Sequence, residues 1–279
     1  MFNLIRLELF KIFSKWRTYI GFLVLGLIIP LIQVAMHFEG QKYIELATQN
    51  LKGSFNFTGN LLNGYMVTRV ILQTLIIQVP ILISLVAGDL LAGEATAGTY
   101  RLLLIRPVSR LQVVSSKFIA GLIYTFFLIL FMAILSLGLS LLIFGTGEMI
   151  VVSSFTITIL LANDVLWRFA FAFAFAFLSM SVGFSFSFLF SAFVENSIGP
   201  IISTMGLLIV FSILNVLGGS FFNGLQPFLF TTYLQNWKLF FEFPFDKPEI
   251  ILSIWVLLGH ILVLNSITFY YFNKKDIQS

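Results

Sequence analysis

The stretch GEATAGTYRLLLIRPVSR, with Lys117 seven residues beyond it, packs Glu94, Arg101, Arg106 and Arg110 into one short segment. Mixed charge at this density can grip a partner or transmit a push; it offers no nucleophile matched to a base. Glu94 to Ile105 is long enough for a helix of about three turns, with Thr99, Leu102 and Leu103 on one face and Arg101 elsewhere. Arg106-Pro107 ends it, because a residue before proline is driven out of the helical region. Ser109 is placed to cap the next helix, which carries Arg110 and Lys117. A stiff helix tied at both ends to its neighbours suits docking to a soluble partner. The same residues suit an ordinary basic loop at a membrane surface, and on residue chemistry the two readings stand level.

Catalysis has little to work with. The chain has no G-x-x-x-x-G-K-[ST], so it cannot cradle nucleotide phosphates in the P-loop manner. It has no H-E-x-x-H, and His37 and His260 are too few to ligate a hydrolytic zinc. The absence of cysteine excludes disulfides and thiolate-ligated metals, and seven scattered methionines form no metal site. No catalytic residue, metal ligand or bound cofactor is therefore expected, and the chain is read as no enzyme. Neutral polar residues do fall within apolar stretches: Gln73 and Gln78 beside a bending Pro80, Asn215, His260 and Asn265. They either line a substrate path or bond between helices. Ser179, Gly183, Ser187 and Ser191 recur every fourth residue and make a face on which helices can pack closely.

The elements that must position these residues are set by hydropathy. Hydrophobic residues make up 59% of the 279 and charged ones 10%, well under the roughly 25% charged of a soluble domain. A bilayer absorbs that apolar surface where a small core cannot. Spans of about 20 apolar residues are expected near 18–38, 66–87, 112–144, 163–193, 198–220 and 250–272. The FAFAFAF run at 169–175 alternates like a strand, but a lone strand in lipid would leave its backbone unpaired, so it is assigned to a helix. The apolar residues of the first twenty recur at helical spacing among Arg6, Lys11, Lys15 and Arg17. They read as an amphipathic helix on the membrane face, or as a basic flank, and not as a cleavable signal peptide. Segment 39–65 reads as a polar loop, 145–162 as a short loop and 194–199 as a tight hairpin. Segment 221–249, aromatic and broken by Pro227, Pro244 and Pro248, reads as short interfacial or re-entrant helices or as a plain loop. With both termini cytoplasmic, ten Lys and Arg lie inside and six outside, as the positive-inside rule prefers. The net charge of +4 follows from that placement and implies no nucleic acid partner. Span centres almost free of ionisable groups argue against an ion-coupled carrier. The expected architecture is all-α: one polytopic membrane domain, residues 1–279.

GEATAGTYRLLLIRPVSR followed by Lys117 resembles the cytoplasmic coupling hairpin of ABC transporter permeases of the type-2 exporter class. An acidic residue, a Gly-Thr pair, a Leu-rich turn and Arg-Pro-x-Ser-Arg stand here as Glu94, Gly98, Thr99, Leu102, Leu103, Arg106, Pro107, Ser109 and Arg110. The plan of the whole chain is similar to the single-domain permeases of multicopper-enzyme maturation, sodium export and peptide-antibiotic resistance systems. The resemblance implies a prokaryotic plasma (inner) membrane protein forming a translocation pathway with a second permease subunit, identical or homologous. Two copies of a separate ATPase, which hold the ATP and magnesium, would dock at the 94–106 helix and the N-terminal helix, with Glu94, Arg101 and Arg106 foremost. The same plan would serve an ATP-driven mechanical or assembly complex that moves no small molecule.

Overall fold

A computed structural model describes residues 1–49, 61–98, 108–152, 157–221 and 226–274. In chain order its elements are α1 (Phe2–Ser14), α2 (Trp16–Thr48), α3 (Gly64–Leu75), α4 (Gln78–Ala87), α5 (Asp89–Thr96) and α6 (Arg110–Ala133). A π-helical segment (Ile134–Leu139) joins α6 to α7 (Ser140–Phe144), and strands β1 (Met149–Val152) and β2 (Ile157–Leu160) follow. Then come α8 (Ala162–Phe193), α9 (Ile198–Phe221), α10 (Phe230–Tyr233) between 3-10 turns Gln226–Phe228 and Asn236–Phe241, and α11 (Lys247–Lys274). Among the described residues six stretches are long and apolar enough to cross a bilayer: Trp16–Leu46, Gln78–Thr96, Arg110–Phe144, Ala162–Phe193, Ile198–Asn215 and Lys247–Lys274. The chain is an all-α polytopic membrane protein.

The stretches alternate in direction, so the bundle has two ends. One holds α1, the close of α5, the start of α6, the 194–197 turn and the close of α11. There Thr96 Oγ1 donates to Glu195 O at 2.5 Å, and Arg110 donates to Asn273 O at 3.2 Å. The other holds the β1–β2 hairpin and the 226–246 segment. There the Asn63 side chain caps α3 and donates to Glu148 O at 2.7 Å.

Helix α8 is the hub, packing on α4, α5, α6, α9 and α11. Its FAFAFAF run is helical, with Phe169 and Phe173 buried and Phe171 facing out. The stripe Ser179, Gly183, Ser187 and Ser191 is buried, and its last three members lie against α4 and α5 of the same chain. Ser191 completes the joint between those helices. Its hydroxyl donates to Gly88 O at 2.7 Å and accepts from the backbone of Leu91 and Ala92 at 3.1 and 2.9 Å. Backbone groups freed by a break inside lipid need such a partner, since no water is there to serve.

Three expectations are corrected. The span set at 66–87 is interrupted at Ile76–Ile77. Pro80 has no N–H to bond Ile76 O, so the helix restarts with proline in its first turn, where the missing donor costs nothing. The span then continues through α5 to Thr96, so Glu94 closes a membrane helix and does not open a separate one. Gly98, at φ +62°, turns the chain away from it. The 145–162 connection contains an antiparallel hairpin in the register Met149↔Leu160 to Val152↔Ile157. Its β-branched runs, IVV and ITI, were the available signal. In the third span the wider π turn exposes carbonyls that side chains from other helices take up. Gln33 Nε2 donates to Leu135 O at 3.0 Å and to Ser140 Oγ at 2.9 Å, and Thr68 Oγ1 donates to Ser136 O at 2.9 Å. The short helices at 226–241 match the broken segment expected there.

Two glycines separate tight packing from ordinary packing. A Cβ at Gly64 would lie 2.7 Å from the Ser140 carbonyl oxygen and 2.8 Å from Leu141 backbone atoms, which cannot swing aside. A Cβ at Gly183 would meet only Pro80, at 3.5 Å. Gly64→Ala is expected to cost about 1–3 kcal/mol and to lower the Tm of the detergent-solubilised protein, whereas Gly183→Ala should leave it unchanged. Equal Tm values for the two variants would contradict this packing.

Candidate functional site

Charged side chains converge where α1, α5 and α6 meet. Helix α1 packs along α6 and turns Glu8 and Ile12 inward, leaving Phe2 and Phe10 exposed. An extended Lys15 forms the elbow into α2. The elbow is fixed by bonds from Thr18 Oγ1 to Ile12 O and from Tyr19 to Phe13 O, the latter at 2.9 Å. Ser109 begins α6 as predicted: its hydroxyl accepts from Gln112 N at 3.2 Å, and its own N–H donates to the Gln112 side chain at 3.1 Å. That cap sets the helix on which Lys117 sits two turns later.

Lys117, with a side chain 1% exposed, reaches Glu8 at 2.8 Å and Glu94 at 2.7 Å. Lys11 bridges the same two carboxylates at 2.8 Å each. Asp89, at the start of α5, takes Lys15 at 2.6 Å, Arg17 at 3.4 Å and the Ser197 hydroxyl at 2.7 Å. Four cations thus meet three carboxylates around a cavity of about 30 Å³, room for a water molecule. Beside it an open groove of about 470 Å³ is lined by Lys15, Trp16, Arg17, Thr96, Ala97 and Ser197.

Burial works against charge on Glu8, but Lys117 and Lys11 outweigh it and hold the carboxyl below the usual carboxylate range. Burial likewise opposes the Lys11 charge, and the bonds to Glu8 and Glu94 outweigh it, raising its pKa above the usual lysine range. The stabilisation from Glu8 is complete above its unfolded pKa and is lost as pH falls through the lowered folded value. That from Lys11 is complete below its unfolded pKa and is lost as pH rises through the raised folded value. Between these limits the contributions of Glu8 and Lys11 do not change with pH.

Of the residues picked out by sequence, Glu94 and Lys117 enter this network. Glu94 was expected to contact a motor or to cap its helix; it is turned inward, where the ammonium groups of Lys11 and buried Lys117 take it up. Gly98 is the exit turn, and Arg110 ties α6 to the end of α11. Thr99, Arg101, Leu102, Leu103, Arg106 and Pro107 lie outside the described residues. Glu8, Lys11 and Asp89 were not singled out as site residues; the i, i+3 pair of Glu8 and Lys11 within an amphipathic helix was the signal.

At the opposite end, buried Arg168 staples the 236–245 segment onto α8. It donates to Asp164 at 2.9 and 2.6 Å, to Phe240 O at 2.8 Å and to Glu242 O at 3.3 Å, with the Phe245 ring 4.3 Å from its guanidinium. Asn215 lines a groove beside that segment and accepts from Thr232 at 3.2 Å. Gln73 and Gln78 are exposed and are not among its lining residues.

Residues 22–278 match the family described as Protein of unknown function (DUF2705), and the chain belongs to that family. The Uncharacterized protein YhcI of Bacillus subtilis (strain 168) is 31% identical over 178 residues, 53% of this chain and 57% of that protein. The match thus spans little more than half of either chain.

Lys117→Met is expected to weaken the seating of α1 by about 3 kcal/mol, since breaking a buried pair strands its partners. With no native cysteine, Ile12→Cys is a unique probe, and its maleimide labelling should speed up when Lys117→Met is added. Slow labelling in both backgrounds would refute the anchoring role. The contributions of Glu8 and Lys11 to the Tm should be flat through neutral pH and fall below the carboxylate range and above the lysine range.

Proposed function

We propose that this DUF2705 member is the membrane-spanning permease subunit of an ATP-binding cassette transporter, working as an exporter. It pairs with a second permease chain and is driven by a separate ATPase. The observation that carries this reading is the shared root of the 97–109 connection. Glu94 stands on the helix entering it and Lys117 on the helix leaving it, and both are bonded to Glu8 or Lys11 of α1. A partner pressing on α1 or on the connection therefore moves the second and third spans together. A passive loop between two spans needs no such root.

With Glu94 committed internally, contact with the ATPase falls to Arg101 and Arg106 and to the groove at the elbow. Trp16, 76% exposed on that groove, supplies an aromatic anchor next to Arg17. The chain has no G-x-x-x-x-G-K-[ST] of its own, so in this reading the ATP is held by the partner ATPase.

The test is purification of the tagged full chain in mild detergent with mass spectrometry of stoichiometric partners. A soluble P-loop ATPase is expected, one copy per permease chain. It should be lost from a variant combining Trp16→Ala, Arg101→Ala and Arg106→Ala whose membrane insertion and Tm match wild type. Absence of any P-loop protein from the wild type, or full retention by the triple variant, would remove the reading.

A further inference from the structure

The 3-10 turn Gln226–Phe228 is held by side chains through three successive backbone carbonyls. Thr232 Oγ1 donates to Gln226 O at 2.8 Å, and Tyr233 Oη donates to Pro227 O at 3.0 Å. Both donors belong to α10. Phe228 O is reached from a different element: His260, midway along α11, places Nε2 3.2 Å from it. The other ring nitrogen, Nδ1, lies 2.8 Å from Val256 O, one turn back on the same helix. Among the described residues no other donor reaches Phe228 O.

Both neighbours of the imidazole are therefore acceptors. A neutral imidazole has one N–H and can donate to one of them; the imidazolium has two and satisfies both. The contact with Val256 O is the shorter, and it lies within one helix, so it stays in reach whatever the turn does. The neutral ring thus keeps its proton on Nδ1, and Nε2 then faces Phe228 O lone pair to lone pair. The hydroxyls of Thr232 and Tyr233 keep their protons through neutral pH, whereas histidine is the side chain whose charge ordinarily changes between about pH 5 and 8.

The ionisable groups of the elements packed on α11 are engaged elsewhere. On α10 it is Tyr233, itself bonded to the turn. On the 3-10 turn Asn236–Phe241 it is Lys238, which donates to Gln235 at 3.0 Å; that turn meets α11 through Asn236 and Ser253, about two turns before His260. Helix α8 carries Asp164 and Arg168, paired at 2.6 Å, and no ionisable residue from 169 to 193. Helix α6 meets α11 through Phe118 and Phe269, and its Lys117 is held by Glu8 and Glu94. On α11 itself Lys247, Glu249 and Lys274 stand near the ends. The aromatic ring beside His260 is that of Phe230, at 6.2 Å.

We infer that His260 is a proton-operated latch. As imidazolium it ties the Gln226–Phe228 turn to α11; as pH rises and the proton leaves, the turn stays bonded to α10 but no longer to α11. Thr231 and Thr232 of α10 line the groove of about 550 Å³ that Asn215 shares, so the latch sets how firmly one wall of that groove is held. The inference uses no partner chain and stands apart from the ATPase reading.

His37 and His260 are the two histidines of the chain, and it has no cysteine. His37→Gln therefore leaves His260 as a single imidazole in the full-length protein. With isotope-labelled histidine in detergent, NMR is expected to show both ring nitrogens protonated at pH 5 and Nδ1 alone protonated at pH 8. In the same background, nitroxide labels on Phe228→Cys and Leu252→Cys, both exposed positions, read the separation of the turn from α11. Electron paramagnetic resonance should give a narrow distance distribution at pH 5 that is lost at pH 8. Adding His260→Ala should leave it broad at both pH values, and His260→Gln, whose amide donates without titrating, should make it independent of pH. A ring whose protonation is the same at pH 5 and 8, or that keeps its proton on Nε2 at pH 8, overturns the latch. So does a distance distribution indifferent to pH, or a pH response that survives His260→Ala. Should His260→Ala fail to fold, the NMR titration and the distances with His260 intact still decide.

Discussion

An ammonium group almost sealed from solvent must have carboxylates to hold it, and Lys117 has two. Unpaired, such a charge would cost several kcal/mol or lose its proton. Much of the arrangement at this end follows. Glu8 has to point into the bundle, so α1 turns Glu8 and Ile12 inward and leaves Arg6, Phe2 and Phe10 exposed. Glu94 has to remain helical up to the membrane edge, so the chain can turn away only after it, at Gly98. Lys15 and Arg17 are then left at the elbow, where Asp89 receives them and Ser197 ties in the turn between α8 and α9.

The two ends solve the same electrostatic problem by different means. Near α1, buried Lys117 and half-exposed Lys11, Lys15 and Arg17 are matched by carboxylates, most of them from distant parts of the chain, and the grip depends on ionisation. At the other end, Arg168 has one carboxylate four residues away and otherwise donates to backbone carbonyls, which do not titrate. The first arrangement joins α1, α2, α5 and α6 through ionised side chains. The second fixes a chain segment in place. Helix α8 runs between them and touches most of the other spans, so it is the frame against which both are set.

How much was legible in the sequence depends on how local each cause is. Hydropathy over twenty residues found the six apolar stretches but ended the second at 87, short of Thr96, and the four-residue spacing from Ser179 to Ser191 marked a face that does pack. The Ser109 cap, a matter of three residues, was readable too. The break at Ile76–Ile77 was anticipated only as a bend, because Pro80 forbids a hydrogen bond but does not say whether neighbours will tolerate a gap. The π segment was invisible: the side chains that accept its geometry, Gln33 and Thr68, are remote from it in sequence. For the same reason Glu94 was assigned an outward role. Its partners are 83 residues before it and 23 after it, and nothing near it in the chain records their approach.

The π segment also bears on how the third span is counted. A helix advances about 100° for each residue, so one residue too many would ordinarily rotate everything beyond it onto the wrong face. Here the wide turn at Ile134–Leu139 swallows the surplus, and the carbonyls it displaces are met by Gln33 and Thr68. The two halves of the span are thereby uncoupled in phase. Lys117 can keep its azimuth toward Glu8 and Glu94 while Ser140 keeps its own toward Gln33. This one transmembrane segment therefore carries two faces set at a fixed offset from one another.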